Sequence, residues 1–203
     1  MKRTKEEAAQ TRQQLLNAAL SIFSRQSFDA TSLEEVAEAA GVTRGAIYHH
    51  FGSKADLFLA LIEDASTQGG AVVQQAIASG GSFTEITRRV LERTLTLLEE
   101  NRHFREIMAL SLFKSGSSPE LEALAQMRYE QARTQVSELA GFFQAGIDQG
   151  ALRLDLDPST AARAFLAYQN GLAMLWLSNR EAFSIKTKAS QFADLFLKGI
   201  EAD

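Results

Sequence analysis

Arg44, Tyr48, His49 and Lys54 are the side chains whose types and spacing point to a chemistry. A guanidinium at the start of a short helix can donate two parallel hydrogen bonds to guanine O6 and N7. Gly45 beside it removes a side chain that would hold the backbone away from the floor of a groove. Tyr48 and His49, one turn further on with Thr43 on the same outward side, can donate to phosphates or touch thymine methyls. Ser53 and Lys54 after this segment, and Thr31 and Ser32 before it, offer hydroxyls, an ammonium and helix amino termini to a phosphate backbone. The chemistry such a set serves is noncovalent reading of duplex DNA.

Other chemistries find little footing. Neither G-x-S-x-G, a phosphate loop, a dinucleotide fingerprint nor H-E-x-x-H occurs, so no catalytic residue is expected. The chain has no cysteine, which excludes disulfides, thiolate metal sites and cysteine nucleophiles and fits a reducing compartment. His49 and His50 are neighbours on a helix and diverge by about 100°, so they form no metal pair, and His103 reads as a helix-start residue. No metal and no cofactor are expected.

The reading segment needs a rigid support, and the surrounding sequence describes one. Ser32 to Phe51 forms two short helices that meet at Gly41, where a left-handed backbone angle ends the first; Val42 plugs the corner and Thr43 caps the second, a helix-turn-helix. Ile47 and Phe51 lie one turn apart and face inward, which leaves Thr43, Arg44, Gly45, Tyr48 and His49 facing out. Capping boxes at Thr4 with Glu7, Ser32 with Glu35, Ser53 with Asp56 and Ser82 with Glu85 mark four helix starts. Ser118-Pro119 and Asp157-Pro158 mark two more. The pattern predicts helices at about 4–26, 32–40, 43–51, 53–79, 82–100, 102–114, 118–149, 158–178 and 186–201, with Gly150 as a stop and no convincing strand alternation. The fold class is therefore all-α with about nine helices. Two prolines in 203 residues, where average usage would give about ten, agree with it.

The segments Thr11–Ala19 (T-R-x-x-L-L-x-A-A), Thr31–Phe51 and Lys54–Phe58 (K-A-D-L-F) resemble the TetR family of bacterial transcriptional regulators, and its AcrR-like efflux-repressor branch in particular. The resemblance is specific over about the first sixty residues; beyond them, length, helix order and Asn170-Gly171-Leu172 carry it. It implies a three-helix DNA-binding domain at 1–55 and an effector-binding and dimerisation domain at 56–203. It also implies a homodimer on a palindromic operator and a small-molecule effector that releases it. Residues 1–55 carry seven basic against six acidic side chains and the remainder 14 against 19, so the net charge of -4 divides into +1 for the first part and -5 for the second.

Helix 158–178 is apolar almost all round and requires burial on more than one side. With the stripe on the last helix it provides the expected dimer contacts: Phe165, Leu172, Trp176, Phe192, Leu195 and Phe196. Gln169 and Asn170, polar residues inside this apolar helix, together with Leu166 border the expected ligand pocket, and Arg105, Met108, Leu112, Gln135, Leu139 and Phe143 supply its wall. Such a wall suits a lipophilic or aromatic compound, although Arg105 would equally recognise a carboxylate. Gly69-Gly70 marks a soft point in the connecting helix, whereas the Glu99-Glu100 pair reads as a solvated face. The amino terminus has no apolar signal-peptide core, and the most apolar stretch, Ala161–Leu177, is short of the roughly 20 residues of a membrane span, so the expected location is cytoplasmic. The alternative function is a helical carrier or sensor of small molecules that does not bind DNA.

Overall fold

The computed structural model describes residues 5–26, 28–113 and 119–202, with side chains undescribed at 119–124, 127 and 128. Thr4 and Ser118, two of the predicted caps, lie outside the described residues. Nine helices occur among those described: α1 (Lys5–Arg25), α2 (Leu33–Ala39), α3 (Arg44–His50), α4 (Lys54–Ala78), α5 (Phe83–Glu100), α6 (Arg102–Phe113), α7 (Pro119–Asp148), α8 (Pro158–Ser178) and α9 (Ile185–Lys198). The protein is all-α, and its only described β feature is an isolated antiparallel bridge between Leu152 and Glu201.

Helix starts follow the capping chemistry. Ser32 and Ser82 accept from the backbone N–H of Glu35 and Glu85, whose carboxylates accept from the cap backbone in return. Those hydrogen bonds hold both carboxyls below their ordinary value of 4.5, so the caps are intact above that pH and weaken as acid protonates them. Asp157 caps α8 ahead of Pro158, accepting from the Thr160 amide at 2.6 Å. At Ser53 the return contact is between side chains, Oγ donating to Asp56 Oδ2 at 2.7 Å. Thr43 occupies the N-cap of α3 without making the side-chain bond expected of it. The last helix ends at Lys198 rather than 201, because residues 199–202 turn back and pair with the segment after α7: Arg153 N–H donates to Ile200 O and Ala202 N–H to Ala151 O.

Two compact units divide the chain, one of Met1–Thr67 with Glu106–Ala125, the other of Gln68–Arg105 with Gln126–Asp203. In the first, Leu15, Leu16, Ala19, Phe23, Phe28, Val36, Ile47, Leu57, Phe58 and Leu61 are wholly buried or nearly so. Phe23, Phe28 and Phe58 pack as a triangle of rings with centroids 5.4–5.8 Å apart. In the second, an aromatic row runs through Phe142, Phe83, Phe143, Phe165 and Phe196. Helices α5 and α9 are clamped along their length. Arg88 pairs with Asp194 at 2.5 Å, and Glu99 accepts from Ser184 Oγ and from the Lys186 amide at 2.9 Å, while Glu100 pairs with the Lys186 ammonium. Glu99 is thus a half-buried tie at the start of α9 and not part of the solvated face its sequence suggested, while Glu100 stays exposed beside the Lys186 ammonium.

A helical glycine in this core is there for space. A Cβ on Gly146 would come within 2.7 Å of the Phe83 ring and 2.9 Å of Leu152. Replacing glycine by alanine inside a helix ordinarily gains about 1 kcal/mol. Here Gly146→Ala should instead cost about 1–3 kcal/mol through overpacking. Urea denaturation measures it, and unchanged or higher stability would show that the ring and Leu152 can give way.

Candidate nucleic-acid interface

The reading segment is held by the first unit's core. Gly41 adopts φ +67°, Gly41 N–H donates to Glu38 O, and Val42 N–H reaches back to Ala37 O at 3.0 Å, so α2 stops abruptly and α3 leaves at an angle. Ile47 is wholly buried and Phe51 nearly so. The Arg12 guanidinium from α1 lies 5.2 Å from the Phe51 ring centroid and covers the end of α3. With Ile47 pinned, Thr43, Arg44, Gly45, Tyr48 and His49 are exposed together on the opposite face.

An open cleft of about 520 Å³ adjoins that face, lined by Ser32, Leu33, Glu34, Arg44, Tyr48, Ser53 and Lys54 among others. Arg44 leans across it, pairing through Nη1 with Glu34 and donating from Nη2 to the Tyr48 hydroxyl at 2.8 Å. The Tyr48 contact, more than the Glu34 charge, pushes the Arg44 pKa above its ordinary value. Two predicted contacts sit differently. Thr31 is 3% exposed, its hydroxyl accepting from Gln26 at 3.3 Å and its carbonyl from Lys54, so its side chain is not presented to a phosphate. The Lys54 ammonium donates to Phe28 O at 3.0 Å and Thr31 O at 3.1 Å and stands 4.4 Å from the Phe28 ring centroid. Two of its three N–H groups are therefore committed to the turn before α2.

Comparison with known proteins converges on one kind of molecule. Residues 15–61 match the family described as bacterial regulatory proteins, tetR family, and residues 84–201 match the C-terminal region of MAATS-type transcriptional repressors. The transcriptional regulator AcrR of Shigella flexneri is 34% identical over 202 residues, which cover 97% of this chain and 92% of that protein. This chain belongs to the TetR family.

Among solved structures, NalD of Pseudomonas aeruginosa, the secondary repressor of the MexAB-OprM multidrug efflux pump, superposes with a TM-score of 0.85 at 25% identity, covering 98% of this chain and all of that one. SmeT of Stenotrophomonas maltophilia, solved as a complex with triclosan, shares the fold with a TM-score of 0.81 at 24% identity, over 95% of this chain and 92% of that one. This TetR-family protein is accordingly a DNA-binding transcriptional regulator with a helix-turn-helix, not an enzyme. Among the described residues no helix is long and apolar enough to cross a membrane.

The second-unit expectations divide. Phe165, Leu172 and Trp176 are 4%, 9% and 4% exposed, and the Trp176 indole donates to Phe183 O, so these three face their own unit and not a partner. The apolar side chains that α8 and α9 leave uncovered are Met174, Leu175 and Leu195, the last two 63% and 67% exposed. Phe192 and Phe196 are half-buried. Of the predicted ligand wall, Phe143 is wholly buried among Phe83, Phe142 and Phe165 and serves packing, while Gln135 and Asn170 stand exposed. Leu139, Leu166 and Gln169 are half-buried, as are Met108 and Leu112 in the first unit. Arg105 donates from Nη1 to Glu99 O at 2.5 Å, and its buried Nε has no hydrogen-bond partner among the described residues.

Sequence reasoning missed Glu34, and no short-range signal marks it: nine residues separate it from Arg44, and the turn at Gly41 lies between them. Lys54 supplies a check on its structural task. Lys54→Met removes the ammonium's hydrogen bonds to the Phe28 and Thr31 carbonyls, leaving Phe28 O with the Thr31 N–H alone of the two donors, and should lower stability in the absence of DNA by about 1–3 kcal/mol in urea denaturation. A variant as stable as the parent would return Lys54 to the role of a free surface cation.

Proposed function

We propose that this TetR-family regulator is a ligand-responsive repressor that binds a palindromic operator as a homodimer in the cytoplasm. The observation that carries the reading is the exposed face of α3. Arg44, Tyr48 and His49 point away from the buried Ile47 beside a cleft that holds Ser32, Ser53 and Lys54. Arg44 reads a guanine edge in the major groove, Gly45 lets the helix approach, and Thr43, Tyr48, His49, Ser32 and Lys54 hold the phosphates. A reading helix of seven residues is too small to hold an operator alone; two related by a twofold axis double the contacts and demand a palindrome. The uncovered Met174, Leu175 and Leu195 supply the apolar surface on which the pair would form.

The effector is a small lipophilic or aromatic molecule held in the second unit by Arg105, Leu139, Leu166 and Gln169, its half-buried members of the expected wall. SmeT, which shares the fold and is solved as a complex with the small molecule triclosan, supports a small-molecule effector. The signal travels along α4, a single helix from Lys54 to Ala78 that passes through Gly69-Gly70 with open space at both positions.

Selection of bound sequences from random duplexes, with salt varied, tests the reading. An inverted repeat should emerge, with affinity falling steeply as salt rises. Arg44→Ala should cut discrimination at one base pair of each half-site by about 5- to 150-fold. Salt-independent association without sequence preference would instead favour a carrier that does not bind DNA. For the coupling, Gly69→Ala with Gly70→Ala should stiffen α4 and blunt effector-induced release in a DNA titration, while unchanged release would remove these glycines from the mechanism.

A further inference from the structure

Arg44 does not stand free at the tip of the molecule. Its two terminal nitrogens are gripped from two helices, Nη1 by Glu34 in the first turn of α2 and Nη2 by the Tyr48 hydroxyl one turn along α3. The guanidinium carbon also lies 5.4 Å from the Tyr48 ring centroid. The Arg44 and Glu34 side chains are 55% and 56% exposed, and an ion pair that open to water adds little to folding. A contact of small worth to stability that crosses the corner between the helices and seizes the base-reading group calls for another use. A carboxylate beside this cleft also works against DNA, because it repels every phosphate backbone whatever its sequence.

We propose that Glu34 is a positioning residue for Arg44 and thereby a determinant of base selectivity. The two terminal nitrogens of a guanidinium carry four N–H groups; Glu34 and Tyr48 take one from each, and one N–H on each nitrogen remains to donate to O6 and N7 of guanine. A long side chain already held in its plane by two partners loses less conformational freedom on docking than a free one. The gain is realised only where a base offers two acceptors in that plane, whereas the repulsion of phosphates falls on all sequences alike. Glu34 therefore trades general affinity for discrimination. This inference rests on the reading of Arg44 as the base contact.

The test is a ratio: affinity for the selected operator against affinity for the same duplex with guanine replaced by adenine at the position where Arg44→Ala removes the preference. Glu34→Ala should lower that ratio about 2- to 12-fold, the equivalent of freeing one long side chain, while tightening binding to random DNA. Glu34→Gln keeps an acceptor for Nη1 and should preserve the ratio while also tightening binding to random DNA. In an Arg44→Ala background Glu34→Ala should leave the ratio where it is. A ratio that is unchanged or raised by Glu34→Ala, lost equally with Glu34→Gln, or lowered as much without Arg44, overturns the proposal. If Arg44→Ala itself leaves the guanine preference intact at every position, the reading of Arg44 fails and the role of Glu34 falls with it; the single variant tells that failure from the others.

Discussion

Burying Ile47 on a helix of only seven residues decides the direction of every other side chain that α3 carries. A short helix has no stability of its own and takes its orientation from whatever it packs on. Ile47 at zero exposure, Phe51 beneath the Arg12 guanidinium and the turn at Gly41 leave one way for α3 to sit. The outward face that results is a consequence of that burial. Loosening Ile47 would therefore scatter Arg44, Tyr48 and His49 together, although all three are exposed.

The same economy governs the neighbourhood of the reading face. Lys54, the first residue of α4, spends two of its N–H groups on backbone carbonyls of the turn before α2, so the start of one helix locks the entry to another. Ser32 and Glu35 satisfy each other across the first turn of α2, with Gln26 reaching Glu35 at 3.4 Å from the end of α1. The cleft is thus walled in part by groups that already have structural work: Ser32 and Lys54 keep only their remaining hydrogen-bonding capacity for a phosphate, while Arg44 and Tyr48 present exposed side chains.

Local chemistry was legible in the chain and long-range pairing was not. Capping boxes at Ser32 and Ser82, the proline after Asp157 and the left-handed glycine at 41 act within four residues, and the helices they predict are present. Ile47 and Phe51 were readable as inward because their spacing leaves no other apolar stripe on α3. Periodicity failed where a helix is apolar on several sides: along α8 it could not say that Phe165, Leu172 and Trp176 turn to their own core while Leu175 is left out. It failed again for Thr31 and Lys54, whose polar types suggest a surface but whose partners are supplied by the chain's own turns. Glu34 with Arg44, and Glu99 with Ser184, are pairings between elements, which no spacing rule reaches.

The central claim is that the guanidinium at position 44 meets a guanine through O6 and N7 in the major groove. Methylation interference at guanine N7 on the selected operator tests it most directly, because a methyl group there blocks one of the two acceptors while leaving phosphates and base pairing in place. The account predicts one guanine per half-site whose N7 methylation abolishes binding by the parent protein and no longer matters to Arg44→Ala. Interference that is absent from every guanine, or that persists undiminished in Arg44→Ala, would contradict it.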